Sequence, residues 1–115
     1  MKTISYVILL GLLTAPFTSA SFAADATHNW TQHCIRCHGE DGRGATKMGR
    51  KFRIKDLTLE KTQRRLSDEE ITELIATGYK DNAGEERMPA FREKLSEEEL
   101  KELLRLIRGF KVESR

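Results

Sequence analysis

One domain is the natural expectation for 115 residues with a formal net charge of +2. Two cysteines exclude a multi-disulfide scaffold, and a chain this small, with 33% of its residues charged, has little apolar surface for a self-supporting core. The charge is unevenly spread: Arg43 to Arg65 holds nine basic residues and two acids, whereas acids dominate from Leu66 to Leu104.

In chain order, Lys2 precedes an apolar run from Ile4 to Leu13, broken only by Ser5, Tyr6 and Gly11, and then the small-residue stretch "TAPFTSASFAADA". This is the pattern of a secretory signal peptide, residues 1–23, cleaved after Ala23 or Ala26. The run is about half the roughly 20 residues a membrane span needs. Pro16 and the small residues would end a helix there, which disfavours an uncleaved anchor. The expected product is an exported, soluble, periplasmic domain over residues 24–115 with no membrane span.

Three helices are predicted. The first lies around His28 to His38, with Trp30, His33, Cys34 and Cys37 on one face and Asp25 or Thr27 as cap. The second runs from Ser67 to about Thr77. Ser67 and Glu70 form a capping box, Leu66 staples onto Ile71, and Ile71, Leu74 and Ile75 make the buried stripe. Gly78 is placed to end it in a left-handed conformation, with Tyr79 folding back on Leu74. The third repeats the same start with Ser96, Glu99, Leu95 and Leu100, and carries Leu103, Leu104 and Ile107 before Gly109. Between these helices lie two long loops with no helical stripe, and no alternating strand is evident. Loops of this length in so small a domain suit the wrapping of a ligand.

The chemistry concentrates at "CIRCH", Cys34 to His38. A thioredoxin-like pair would open a helix after a strand, and no strand pattern precedes Cys34. A zinc site needs four ligands, and only His28 and His33 remain, both on the same predicted helix. Two thiols spaced by two residues, with a histidine next in line, form the attachment motif of a c-type haem.

"CIRCHGEDGRG", "KDLT" and "MPAF", followed by an amphipathic last helix, resemble the small monohaem class I c-type cytochromes of bacteria over essentially the whole mature chain. The resemblance implies an all-α cytochrome c fold, with first and last helices crossing and long loops around one haem c. It implies covalent attachment through Cys34 and Cys37, His38 as proximal ligand and Met88 as distal ligand. One departure is plain: Gly39 to Arg65 contains no proline, where the family often has one whose carbonyl orients the proximal histidine. His38 Nδ1–H still requires an acceptor.

For the sixth iron position, Met88 lies in a loop and is followed by Pro89, which keeps it out of helical geometry and lacks an N–H. Phe91 and Leu95 follow within reach to seal the pocket. Met48 is the competing thioether, only ten residues past His38. His28 and His33 share the helix of the attachment site; His28 is expected exposed and His33 at the surface or an interface.

A His/Met iron has no open position, so the expected role is one-electron transfer rather than catalysis, at a raised potential. The partners would be redox proteins: a quinol-oxidising complex or dehydrogenase as donor, an oxidase or reductase as acceptor. The basic stretch is the docking candidate for a monomeric shuttle. Nucleic-acid binding is a poor reading for a chain expected to be exported, with Phe52 the single aromatic in the basic run. The alternatives are a haem subunit held in a larger redox complex, or an open-site haem protein that binds gas or turns over peroxide.

Overall fold

The computed structural model describes residues 25–110. The expected signal peptide therefore lies outside the described residues. Helix α1, Ala26–His33, starts at Asp25, whose carboxylate accepts the Thr27 N–H at 3.2 Å. At Cys34, φ of −117° interrupts the helix, and a four-residue turn, α2, continues over Ile35–His38. The single helix expected here thus comes in two pieces. The hydrogen-bond ladder runs on across the joint, with Cys34 N–H to Trp30 C=O and His38 N–H to Cys34 C=O, both 2.9 Å. The expected face survives: Trp30 and Cys34 are buried, His33 and Cys37 half-buried.

The loop expected to be free of helix contains two short ones, α3 (Lys47–Phe52) and α4 (Glu60–Gln63). Neither is long enough to show a periodic stripe. The legible signal for α3 was its cap: Thr46 Oγ1 accepts the Gly49 N–H at 2.8 Å. Two long-range residues pin this segment down. Buried Gln63 donates to the Leu57 and Ile107 carbonyls. Arg108 reaches back to Asp68, Gln63 and the Leu66 carbonyl.

Helices α5 (Asp68–Thr77) and α6 (Glu97–Gly109) begin as predicted, each with a complete capping box, Ser67 with Glu70 and Ser96 with Glu99. The end of α5 differs from expectation. Gly78 has φ 74° but ψ −173°, so the chain leaves the helix extended instead of curling back. Tyr79 is consequently 52% exposed and enters a strand. That strand, β1 (Tyr79–Lys80), pairs antiparallel with β2 (Glu86–Met88), in register Tyr79 with Met88 and Lys80 with Glu86. Two- and three-residue strands are too short to show alternation, so the sequence held no strand signal.

The core joins the first and last described helices. Helix α1 packs on α6, and Trp30 shares one cluster with Leu100, Leu103, Ile107, Ile75, Ala76, Phe91 and Leu95. Leu95 and Leu100 are both buried, as the staple expects. Asn29 Nδ2–H donates to Glu99 at 3.2 Å, tying α1 to the capping box of α6. The fold is all-α apart from the small hairpin. No described helix is long and apolar enough to cross a membrane.

Candidate functional site

One open cavity of about 990 Å³ gathers the sequence-predicted residues. Cys34 lines it from the α1–α2 joint, Cys37 and His38 from α2, and Met88 from β2, followed by Pro89 and Phe91. Met48 and His28 are not among the lining residues, whereas His33 is. His33 also packs on Phe91 at 5.4 Å between ring centroids and is half-buried, so it is a wall of the cavity instead of a free surface group. Leu66, Ile71, Leu74 and Ile75 turn the apolar stripe of α5 into another wall. This explains why Leu66 is 38% exposed despite its staple position.

Packing around α2 is tight. Thr46 Oγ1–H donates to the Cys37 carbonyl at 2.9 Å, holding α3 against α2. Gly49 is what permits this approach: a Cβ there would lie 2.0 Å from the Gly44 carbonyl oxygen and 2.6 Å from that of Cys37. Both obstacles are backbone, so any larger residue forces α3 off α2. Trp30 backs the histidine, with ring centroids 5.6 Å apart, and its indole N–H donates to the Gly39 carbonyl at 3.0 Å. The carbonyl after the motif is thereby held by Trp30, in a loop that lacks proline.

The electrostatics separate the readings of the motif. Cys34 and Cys37 are free thiols. Burial, and secondarily Cys37, pushes the Cys34 thiol up to about 11. A disulfide oxidoreductase needs the opposite shift, toward a reactive thiolate. Among the described residues, no three His, Cys, Asp or Glu side chains converge to hold a metal ion between them. Burial also holds His38 below its ordinary value, so at neutral pH its imidazole is the free base, the form that ligates iron. Its Nδ1 is buried and finds no hydrogen-bond partner among the described residues. An unpaired buried polar atom costs about 1–3 kcal/mol and calls for an explanation. A large apolar-walled cavity with two thiols and a neutral imidazole on its lining fits a haem, whereas the orphaned Nδ1 is the nitrogen that would orient the ring and is not accounted for by that group.

The family model described as "Cytochrome C oxidase, cbb3-type, subunit III" matches residues 22–107. The chain belongs to the c-type cytochromes. A solved structure titled KustC0563 c-type cytochrome is 36% identical, with a TM-score of 0.66, covering 77% of this chain and 100% of that one. A point mutant of Kustc0563 is also 36% identical, with a TM-score of 0.63, covering 76% of this chain and 100% of that one. No curated protein matches. Membership makes this cytochrome a haem protein of electron transfer.

Several structural residues of this cytochrome site escaped sequence reasoning. Gly49 sits in a basic run and reads as an ordinary loop glycine, although a glycine three residues past a Thr cap was a usable clue. Asp81 organises the hairpin loop: its carboxylate accepts the N–H groups of Ala83 and Glu85, both at 2.9 Å, and Arg87 Nε at 2.9 Å. The backbone N–H of Glu85 and then Arg87 hold its carboxyl below the usual range. The clue there was an Asp-Asn-Ala-Gly turn sequence.

Proposed function

We propose that this chain is an exported, periplasmic one-electron carrier with one haem c, bound through thioethers to Cys34 and Cys37 and ligated by His38 and Met88. The observation that carries the reading is the convergence of these four side chains, from α1–α2 and β2, on one cavity of about 990 Å³. The bound haem would supply a one-electron ferric/ferrous couple. The chain's own residues do the rest. Cys34 and Cys37 would anchor the group on two points of one wall, and Trp30 packs beside His38 while holding the Gly39 carbonyl. Ile71, Leu74, Ile75, Leu103 and Phe91 would pack on the bound group and shield it from water, which favours the less charged ferrous state. Met88 would ligate the iron through its thioether, a ligand type that raises the potential.

The rim of the cavity is cationic. Lys51, Arg53, Lys55, Arg65 and Arg87 line it against one carboxylate, Asp81, which is paired with Arg87. Such a rim suits the haem propionates and steers an acidic partner surface to the site. The family name gives weight to a second reading, a haem subunit docked on an oxidase-type complex that receives electrons from a quinol-oxidising complex or dehydrogenase.

Covalent attachment is tested by co-expression with a haem-attachment system followed by denaturing electrophoresis and a haem stain. The wild-type band is expected to stain, and the Cys34→Ser/Cys37→Ser double variant to release its haem. A double variant that still stains would remove these cysteines from the reading.

A further inference from the structure

The segment carrying Met88 is held at both ends by different parts of the chain. On its C-terminal side, after Pro89 and Ala90, Phe91 N–H donates to the Ile75 carbonyl at 3.1 Å and Arg92 N–H to the Ala76 carbonyl at 3.0 Å. These carbonyls belong to the last turn of α5, where no intrahelical donor remains for them. Gly78 lets the strand lie this close: a Cβ there would fall 2.5 Å from the Met88 carbonyl oxygen and 2.8 Å from Ala90 N.

On the N-terminal side the hold is made by side chains. Arg87, next to Met88, pairs with Asp81 at 2.7 Å and Glu85 at 3.0 Å. The same guanidinium lies over the Phe52 ring, 5.2 Å from its centroid. Phe52 is the last residue of α3, and α3 is bound to the Cys37 carbonyl through Thr46. Asp81, Arg87, Phe52 and Met88 all line the cavity. A continuous strap therefore runs from the hairpin bearing Met88 to the wall bearing Cys37 and His38.

We propose that the Asp81–Arg87–Phe52 strap is a positioning device for the distal ligand: it holds the β1–β2 hairpin against α3 and so sets how readily Met88 yields its place to an outside ligand. The inference rests on the reading of Met88 as an iron ligand. Asp81 has two jobs that chemistry can separate. Its Oδ1 caps the hairpin turn, which an asparagine oxygen also does, while its charge holds Arg87, which asparagine lacks. Phe52→Leu keeps the cavity apolar but removes the aromatic face under the guanidinium.

The test is a titration of the ferric, haem-loaded protein with imidazole, followed through the far-red thioether-to-iron band, with thermal melts recorded beside it. Asp81→Asn, Arg87→Gln and Phe52→Leu are each expected to bind imidazole about three- to five-fold more tightly than wild type, the scale of one exposed ion pair or cation–π contact. The Asp81→Asn/Arg87→Gln double variant is expected to add little to either single, because both cut the same link. Arg87→Lys, which keeps the charge, should recover part of the wild-type resistance. Unchanged imidazole affinity in all three single variants, with the band lost in Met88→Ala, would overturn the strap and leave Met88 as ligand. A band that persists in Met88→Ala would overturn the ligand reading itself, and the strap with it.

Discussion

Produced without haem attachment, the chain is expected to lose most of its helical far-ultraviolet signal and to show no cooperative melt. Without the group, a cavity of about 990 Å³ lined by apolar side chains is left open to water, so those side chains lose the burial that would stabilise the fold. A typical domain has only about 5–15 kcal/mol of stability to lose. The core offers little reserve. Most of its buried residues ring the cavity: Trp30, Cys34, Ile75, Phe91, Leu103 and Ile107 line it, and Ala26, Ala76, Leu95 and Leu100 do not. Circular dichroism of the loaded and haem-free chains measures the difference. A haem-free chain that melts cooperatively near the temperature of the loaded one would show that the protein core alone carries the fold.

Met88→Ala is expected to have the largest effect of any single substitution that leaves the haem attached. On the proposed ligation the thioether favours ferrous iron, so without it the potential should fall by on the order of 100 mV, within the span of about 0.8 V that axial ligation commands. The far-red ferric band should vanish, and the ferrous protein should bind carbon monoxide. Met88 is only half-buried, and the hairpin and the α5 carbonyls hold its backbone independently of its side chain, so the fold should survive the change. Met48→Leu is the matched control. Met48 does not line the cavity, and its replacement should leave spectrum and potential unchanged. A Met88→Ala protein with an intact band and closed iron would transfer the ligand role elsewhere.

What the sequence made legible was local in the chain. The Cys34–His38 motif spans five residues, and both capping boxes span four, so each can be read without knowing what folds against it. The Met88–Pro89 pair was readable for the same reason. What stayed hidden depends on distant partners. Gly49 is required by the carbonyls of Gly44 and Cys37, and Arg87 is placed by Asp81 and by Phe52 on another helix. The hairpin is held by its turn chemistry and by α5, not by any alternation of its own residues. Gly78 was correctly marked as the stop of α5, but its extended ψ, which sends Tyr79 into a ladder with Met88, answers to the close approach of Pro89 and Ala90. The His38 Nδ1 acceptor, missing from a loop without proline, has no counterpart among the described residues either.

The measurement that tests the account most directly is a spectroelectrochemical titration of the wild-type, haem-loaded protein, repeated under carbon monoxide. The account predicts one reversible one-electron wave at positive potential, a far-red band in the ferric state that disappears with reduction, and no displacement of the wave by the gas. A high-spin ferric spectrum, or a wave that shifts because carbon monoxide captures the ferrous iron, would show an open coordination site. That result would contradict the closed electron carrier and favour gas binding or peroxide chemistry at the same cavity.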